Sequence, residues 1–412
     1  MNSPDRPRHE ASELLEDLAA LDRFGRDGSG GFTRLAWSKE LLDSVQWAAG
    51  RMREAGMATE IDHAGNLIGR WEEGDGRAVV IGSHLDTVTS GGRFDGALGV
   101  LTAVDVVRRL RAEGFRPSRP IWVVAFMDEE GERFNSVMLG SRAFVGEPVP
   151  VDEADRTDAR HVSMGEAMRS WDREFSEISA AKRIEDVHCY VELHVELGPV
   201  LEAAGVDIGV VTEIVGLIGL SVTLHGVTNH AGTTPMAGRR DALVGAAKAI
   251  AAMRDQALES STHMATVGSI STVPGGANAI PGACTLSIDL RASTDEGLHA
   301  ARRSVDAILA DVCEGEGVHA TVTQTYLLAP VPLDQEIVEV TSRVAEQEDL
   351  SHMRMASGAG HDAMLLAPHV PAGMIFVPSV AGVGHAPEEF TTDDDVARGA
   401  VALTSVIREL AR

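Results

Sequence analysis

The feature that most constrains the fold is a continuously apolar segment, residues 121–127, that ends abruptly in acids. Its β-branched and aromatic residues favour a buried strand. Asp128, Glu129 and Glu130 follow directly, and such residues cannot continue into a core, so we expect them at the carboxyl end of the strand. Open α/β sheets bind their ligands at that edge. The chain is therefore predicted to be an α/β protein with a ligand site at one edge of its sheet.

Acids or imidazoles also follow two other apolar segments, and one acid lies in a glycine-rich loop. These residues are His84 and Asp86 after the segment 78–82, Asp95 in the glycine-rich loop 91–96, and His194 after the segment 190–193. A helix predicted from Ala97 to Glu113 leads from the first of these strands to the strand 121–127. A strand, a crossover helix and a second strand form a parallel pair, so both strands end at the same edge. Imidazoles and carboxylates gathered there indicate a metal site.

The candidate metal ligands are two carboxylates and three imidazoles. They are His84, Asp95, Glu130, His194 and His385. Two divalent ions that share a bridging carboxylate need about this set, because each ion takes three protein groups. We expect zinc, and imidazole with carboxylate also suits manganese, cobalt or nickel. A single His or a Glu-Glu pair is a weak signal, but their joint occurrence at several strand ends is typical of a metal centre.

Two acids beside the ligands are predicted to act in catalysis. A free carboxylate at Glu129 would take a proton from the attacking water and later deliver it to the leaving nitrogen. Asp86, two residues after His84, is expected to hold the tautomer of that imidazole through a hydrogen bond.

The length of 412 residues predicts two domains, because single cores stop growing near ~250–300 residues. Residues 1–212 and 330–412 are expected to form a metal-binding catalytic domain with a mixed sheet. Residues 213–329 read as an inserted α+β domain with the order β-α-β-β-α-β, which is that of a ferredoxin-like sandwich. Within this pattern, residues 210–227 read as a single long strand region, and the next helix as 239–258.

Composition excludes several classes of function. A net charge of −26 argues against nucleic-acid binding, which needs clustered Lys and Arg. Three widely spaced cysteines do not form a disulfide framework and fit a reducing cytoplasm. The polar segment 1–7 lacks the apolar region of a signal peptide, and no apolar stretch approaches the ~20 residues needed to span a membrane.

Taken together, these motifs resemble the amidase/hydantoinase/carbamoylase branch of the zinc aminopeptidase-like hydrolases. The matching segments are GSHLDTV (82–88), GGRFDGALGV (91–100), AFMDEEGERF (125–134), YVELHVELGPVLE (190–202), NHAGTTPM (229–236), GGANAIPG (275–282), SGAGHD (357–362) and GHAPEE (384–389). The similarity covers nearly the whole chain. It implies a catalytic α/β domain with an inserted dimerisation domain, and a homodimer.

The resemblance also implies roles for individual residues. His84, Asp95 and His194 would hold one metal ion, and Asp95, Glu130 and His385 the other, with Asp95 bridging and Glu129 as the general base. In the family, residues of the inserted domain contact substrate, often across the dimer. The positions that match here are His230, Asn278 and Arg291, with Gly360 and His361 of the SGAGHD segment as further candidates. The guanidinium of Arg291 would form paired hydrogen bonds with the α-carboxylate of the substrate. The imidazole of His230 could stabilise the oxyanion of the tetrahedral intermediate.

The implied reaction is metal-dependent hydrolysis of the C–N amide or ureido bond of an N-carbamoyl or N-acyl L-amino acid. Hydrolysis of allantoate is an alternative that the motifs do not distinguish. Leu197 stands where the family's Glu-Gln-Gly-Pro segment has glutamine, and Glu132 and Gly384 stand where serine is common. Since Leu197 cannot hydrogen-bond a ureido group, it favours a third alternative, an N-acyl amino acid or dipeptide hydrolase with a more apolar pocket. A non-catalytic metal-binding protein is the competing class, and it would not need Glu129.

Overall fold

The computed structural model describes residues 11–412. The polar segment 1–7, on which the expectation of no signal peptide rests, lies outside the described residues. The chain divides into two compact units. The first comprises residues 11–212, Pro332–Ser357 and His361–Arg412, and the second comprises Glu213–Val331 and Gly358–Gly360.

Fifteen strands are present within residues 11–412. They are β1 (Ala58–Ile61), β2 (Leu67–Trp71), β3 (Ala78–His84), β4 (Ile121–Phe126), β5 (Val187–Val195), β6 (Ile208–Ile214), β7 (Gly216–His225), β8 (Asn229–His230), β9 (Met264–Val273), β10 (Ala279–Ile280), β11 (Ala283–Ala292), β12 (His319–Leu328), β13 (Val331–Pro332), β14 (His352–Ser357) and β15 (Ala372–Val377). The α-helices of the same residues are Ser12–Leu21, Lys39–Glu54, Ala97–Ala112, Leu139–Val145, Met164–Arg169, Val200–Ala204, Ala242–Glu259, Asp295–Glu316, Gln335–Gln347, Asp362–Leu366 and Asp393–Leu410. No helix in this part of the chain is both long enough and apolar enough to cross a membrane.

A mixed sheet of nine strands forms the centre of the first unit, as described by residues 11–412. Its order is β1-β2-β4-β3-β5-β15-β6-β13, and β14 pairs with β6. β3 pairs in parallel with β4 and with β5, and β15 pairs in parallel with β5. The predicted parallel pair is confirmed, and the carboxyl ends of these four strands meet at one edge. Every residue of β3, β4 and β15 is buried, which agrees with the apolar sequences of β4 and β15 and of the first five residues of β3.

The crossover helix Ala97–Ala112 is almost wholly buried against this sheet. Its first residues follow directly on the loop that carries Asp95, and the helix therefore anchors that loop. The C-terminal helix Asp393–Leu410 begins after Thr392, whose hydroxyl accepts from the main-chain nitrogen of Asp395 at 3.1 Å. Such an N-cap satisfies one of the free amides at a helix start. A mixed α/β fold, as predicted, is thus observed.

The second unit contains a four-stranded antiparallel sheet in the order β12-β7-β11-β9 and the two helices Ala242–Glu259 and Asp295–Glu316. The elements follow one another as β-α-β-β-α-β, the order expected for a ferredoxin-like sandwich. Alternate residues of β7 and β11 point into the core of this unit. These residues are Ile218, Leu220, Val222, Leu224, Leu286, Ile288 and Leu290. Such alternation is what one buried sheet face requires.

The single strand region predicted over 210–227 is wrong. β6 ends at Ile214 and β7 begins at Gly216, and the two strands belong to different sheets. The sequence gives no sign of this break, because the residues on both sides are apolar and β-branched. At Gly216 a side chain would collide, since its Cβ would lie 2.5 Å from a side-chain atom of Leu298 and 2.6 Å from one of Pro330. The helix predicted from residue 239 begins at Ala242, where Asp241 caps it.

Candidate metal centre

The edge of the large sheet brings the five predicted ligands together. His84 is the last residue of β3, His194 is the eighth residue of β5, and Glu130 follows β4 by four residues. Asp95 lies just before the helix Ala97–Ala112, and His385 lies in the loop after β15. The side chains form two groups whose ligand atoms lie within 4.8 Å of one another. The groups are His84–Asp95–His194 and Asp95–Glu130–His385. Asp95 belongs to both.

The carboxylate of Asp95 points one oxygen at each group. Its Oδ1 lies 3.4 Å from Nε2 of His84 and 3.2 Å from Nε2 of His194. Its Oδ2 lies 3.2 Å from Nε2 of His385, which in turn lies 3.5 Å from Oε2 of Glu130. A carboxylate that spans two sets of donors in this way has the geometry of a bridging ligand.

The two buried imidazoles are held so that Nε2 faces the acids. Nδ1 of His84 lies 3.0 Å from the main-chain oxygen of Asp86, and Nδ1 of His194 lies 2.9 Å from that of Val195. A carbonyl oxygen only accepts hydrogen bonds, so both Nδ1 atoms donate, and in the neutral imidazole Nε2 keeps its lone pair. This arrangement is typical of metal-ligating histidines.

Two carboxylate oxygens in the centre have no hydrogen-bond partner among residues 11–412, although they are buried. They are Oδ2 of Asp95 and Oε1 of Glu130. Buried carboxylates without partners are costly unless a cation offsets their charge. The donor set of three imidazoles and two carboxylates therefore fits divalent metal ions.

The pKa values of the centre show the same surplus of negative charge. Burial raises the pKa of Glu130 to about 7, and the neighbouring charge of Asp95 adds to the shift. The Asp95 carboxylate, whose Oδ2 lies 3.2 Å from Nε2 of His385, raises the pKa of that imidazole to about 9. Burial also raises the pKa of Glu129 well above its ordinary value. Each raised pKa has the same origin, because several carboxylates lie close together in a buried site.

Glu129 and Asp86 lie beside the ligands, and the two residues are connected. Oε2 of Glu129 is 3.9 Å from Nε2 of His84, and the side chain belongs to neither metal group. The carboxylate of Asp86 accepts from the main-chain nitrogens of Glu129 at 3.3 Å and of Glu130 at 3.1 Å. The nearest oxygen of this carboxylate lies 3.8 Å from Nδ1 of His84, so the main chain of Asp86, and not its side chain, holds the imidazole. Asp86 thus orients the Glu129–Glu130 segment as well.

Glu389 is a further acid of the centre to which the sequence analysis gave no role. It is buried, and its Oε1 accepts from the main-chain nitrogens of Phe94 and Asp95, both at 2.9 Å. It thereby fixes the loop that carries Asp95. A Cβ at Gly92 would lie 2.0 Å from the carboxyl carbon of Glu389, so only glycine allows this approach. The segment GHAPEE contains Glu389, but two adjacent glutamates gave no signal that one of them is buried.

A third group of donors adjoins the first and consists of Glu192, His194 and His361. Both oxygens of Glu192 already accept hydrogen bonds, from the Ser83 hydroxyl at 2.7 Å and from the main-chain nitrogen of Ala363 at 3.1 Å. The ring of His361 packs at 4.5 Å against that of His194, and its Nε2 lies 3.0 Å from the Ser357 hydroxyl. His361 therefore packs against the ring of His194, and Glu192 lies beside both imidazoles.

Family relationships agree with this geometry. A model of the peptidase family M20/M25/M40 matches residues 80–409, which include all five candidate ligands. The chain belongs to this family. The N-carbamoyl-L-amino acid amidohydrolase of Geobacillus stearothermophilus is 39% identical over 406 residues, covering 98% of this chain and 99% of that protein. The allantoate amidohydrolase of Escherichia coli strain K12 is 36% identical over 410 residues, covering 98% of each.

Solved structures of the family share the fold. An amidase of the hydantoinase/carbamoylase family from Burkholderia vietnamiensis superposes with a TM-score of 0.87 at 32% identity, and the match covers 97% of each chain. The resemblance inferred from the sequence motifs is therefore confirmed, as is the α/β fold class.

The residues expected to bind substrate in this M20 family member are divided between the two units. His230, Asn278, Arg291 and Gly360 belong to the second unit, and His361 and Leu197 to the first. Nδ1 of His230 accepts from the main-chain nitrogens of Gly232 at 3.0 Å and Thr233 at 3.2 Å. Nε2 of His230 therefore carries the proton in the neutral ring. The main-chain oxygen of Asn278 accepts from the main-chain nitrogen of Ala231 at 2.9 Å, which keeps Asn278 close to His230.

Arg291 already has protein partners in the second unit. Its Nε donates to Oδ1 of Asp289 at 2.7 Å, and its Nη1 donates to the main-chain oxygen of Gly358 at 2.7 Å. The Tyr326 hydroxyl donates to the same aspartate at 3.0 Å. A guanidinium has five N–H donors, so Arg291 retains donors for a carboxylate while Asp289 and Gly358 orient it.

Leu197 and Gly384, two departures from the family pattern, contact each other. Leu197 has a left-handed backbone (φ 56°), and its main-chain nitrogen donates to the Ser379 hydroxyl at 3.0 Å. A Cβ at Gly384 would lie 2.6 Å from Cδ2 of Leu197, so the leucine fills the space that a serine side chain would need. Gly384 directly precedes the candidate ligand His385. The two departures therefore form one apolar contact beside the metal centre.

Proposed function

We propose that this protein is an amidohydrolase that cleaves the C–N amide or ureido bond of N-carbamoyl or N-acyl L-amino acids with two divalent metal ions. The observation that carries the proposal is Asp95, which is shared by two complete sets of candidate ligands. The relatives named above act on carbamoyl amino acids and on allantoate, and the match extends over almost the whole of each chain.

The residues that would hold the ions are the two groups already described. His84, Asp95 and His194 would hold one ion, and Asp95, Glu130 and His385 the other. Zinc is the expected metal, and manganese, cobalt or nickel suits the same donors. Bound divalent ions would supply Lewis acidity, which lowers the pKa of water and polarises a carbonyl group.

The side chains around the ions would carry the proton transfers. Glu129 is a carboxylate beside the ligands that is not itself a member of either group, so it is free to take a proton from the attacking water. Burial raises the pKa of this carboxyl well above its ordinary value, and so its ionised form is a stronger base than an exposed carboxylate. The same group would then return the proton to the leaving nitrogen. In the second unit, the Nε2–H of His230 is available to donate to an oxyanion.

Recognition of the amino-acid part is assigned to the second unit. Arg291 would pair with the α-carboxylate, and Asn278 would add a polar contact. Because these residues lie in the unit that holds none of the five ligands, we propose a homodimer built through residues 213–329, in which the inserted domain supplies them to a metal centre. Gly360 and His361, where the chain passes from the second unit to the first, are further candidate contacts.

Two alternative substrates stay open. Allantoate is supported by the similarity to the Escherichia coli enzyme. An N-acyl amino acid or a dipeptide is favoured by Leu197, because its side chain lies against Gly384 and has no group that could hydrogen-bond a carbamoyl amide. A buried polar group without a partner costs about 1–3 kcal/mol, and so this contact disfavours ureido substrates.

The test is a substrate panel assayed on the metal-loaded full chain. The panel contains N-carbamoyl, N-formyl, N-acetyl and N-succinyl L-amino acids, allantoate and dipeptides. We expect hydrolysis of at least one member, and loss of that hydrolysis in Glu129→Gln. Absence of turnover on every member by a chain that binds two metal ions would contradict the proposal and would favour a non-catalytic metal-binding protein.

A further inference from the structure

Arg34 is a buried cation close to the metal centre that no step of the proposed mechanism uses. The side chain is 1% exposed, and its Nη2 is buried without a hydrogen-bond partner among residues 11–412. Burying an arginine with an unpaired donor is unfavourable, and an apolar side chain of similar volume would pack there at lower cost. A role other than packing is therefore indicated.

The guanidinium contacts the turn that follows β3. Its Nε donates to the main-chain oxygen of Leu85 at 2.8 Å. Leu85 lies between His84, a ligand of the first metal group, and Asp86. The main-chain oxygen of Asp86 holds Nδ1 of His84, and its carboxylate holds the main-chain nitrogens of Glu129 and Glu130. One hydrogen bond from Arg34 thus fixes the peptide between two residues that organise the centre.

Main-chain contacts of the same segment strengthen this link. The nitrogen of Arg34 donates to the Thr87 hydroxyl at 2.9 Å, and that hydroxyl donates to the oxygen of Phe32 at 3.0 Å. Phe32 and Gly91 exchange two main-chain hydrogen bonds, at 3.0 and 2.9 Å. The segment 32–34 therefore runs along the loop that leads from His84 towards Asp95 and fixes it at both ends.

Neighbouring carboxylates offset the charge of Arg34. Burial lowers its pKa to about 10, while the charges of Asp86, Asp22, Asp95 and Glu389 act in the opposite direction. The arginine remains protonated at neutral pH as a result. A permanent cation at this place is compatible with metal ions nearby only because the surrounding acids outnumber it.

We propose that Arg34 is a positioning residue of the metal centre, which holds the Leu85 carbonyl and thereby fixes His84 in its ligand geometry. This inference rests on the metal centre of the proposed function. Loss of a group that orients a metal ligand typically weakens metal binding by ~10–100-fold. We expect metal binding to depend on the hydrogen bond from Arg34 to Leu85, and not on the charge of Arg34 alone.

The experiment measures the affinity of the metal-free full chain for zinc by chelator competition, together with the visible spectrum of the cobalt-loaded chain. Arg34→Met removes the charge and the hydrogen bond, and Arg34→Lys keeps the charge without the planar Nε–H. Thr87→Val removes the hydroxyl and leaves Arg34 in place, in case the arginine variants fail to fold. Arg173→Met is the matched control, because Arg173 also donates to main-chain oxygens, of Ile61 and Asp62, that hold no candidate ligand.

We expect zinc affinity to fall about tenfold or more in both Arg34 variants and by a smaller factor in Thr87→Val, with an altered cobalt spectrum. Arg173→Met should bind zinc as the wild type does, even if it melts at a lower temperature. Zinc binding by Arg34→Met within twofold of wild type would overturn the inference. Full affinity in Arg34→Lys, or an equal loss in Arg173→Met, would do the same. A wild-type chain that binds no zinc, cobalt or manganese would overturn the metal proposal itself, and this inference with it.

Discussion

Replacing Glu129 with glutamine isolates the proton transfer proposed for this side chain. The amide keeps the shape of the carboxyl group, and the hydrogen bond to Asp86 uses the main-chain nitrogen of residue 129, so it stays. The side chain belongs to neither metal group, and its nearest oxygen lies 3.9 Å from Nε2 of His84. We therefore expect Glu129→Gln to bind metal as the wild type does and to lose its turnover.

The size of the loss follows from the role of a positioned base, which contributes ~10²–10⁴-fold to the rate. We expect kcat/KM to fall by about that factor, at ~1.4 kcal/mol of activation free energy for each tenfold step. The stability of the metal-free chain, in contrast, should stay the same or increase. Burial and the charges of Glu130, Asp362 and Asp86 raise the pKa of Glu129, so a neutral amide relieves repulsion. The metal-free variant should melt at the same temperature as the wild type or higher.

Three measurements on one preparation test this prediction: metal content by mass spectrometry, kcat/KM on the best substrate of the panel, and the melting temperature without metal. Glu132→Gln is the control, because Glu132 is an exposed glutamate three residues away that binds Thr89 and no ligand. It should keep near-normal turnover. Glu129→Gln with normal metal and turnover within threefold of wild type would remove Glu129 from the mechanism. A parallel loss of metal and activity would make it a ligand instead.

Further predictions concern the substrate contacts. Arg291→Ala should raise KM about ten- to hundredfold for substrates with an α-carboxylate, because charge-assisted hydrogen bonds contribute ~1.5–3 kcal/mol, and should leave metal content unchanged; an equal effect on substrates without the carboxylate would refute the clamp. Leu197→Gln should raise kcat/KM for a carbamoyl substrate about tenfold relative to its acyl analogue; a wild type that already prefers the carbamoyl substrate, with no gain from the swap, would refute this. Gly384→Ser should destabilise the chain by about 1–3 kcal/mol in denaturant unfolding, because its Cβ meets Leu197, and adding Leu197→Ala should recover much of the loss; strictly additive effects would show that the two residues do not interact.

The sequence contained enough to predict the central sheet and the gathering of its ligands. Buried parallel strands are continuously apolar, and acids or imidazoles that follow such strands must leave at their carboxyl ends. His84 and Glu130 were found in this way. His194 belongs to β5 itself, and it reaches the same edge because it lies near the end of that strand. His385 follows β15 at a distance of eight residues, and the family resemblance, more than its position in the chain, gave it a role.

Other parts of the centre depend on contacts between residues that are far apart in the chain. Glu389 binds the main chain of Phe94 and Asp95 across almost 300 positions, and periodicity carries no information on such a contact. The contacts of the segment 32–34 were missed for the same reason. Only its Phe32 forms isolated bridges, and the segment belongs to none of the helices or strands. The break at Val215 was missed because apolar residues flank it on both sides.

The most direct test of the account is the metal content of Asp95→Ala. The central claim is that Asp95 bridges two metal ions, because its two oxygens face separate sets of donors at 3.2–3.4 Å. Wild type dialysed against zinc should hold two ions per chain, His385→Ala should keep the ion of the His84–Asp95–His194 group, and Asp95→Ala should lose both. Retention of two ions by Asp95→Ala, or the loss of only one, would contradict the bridging role on which the proposed function rests.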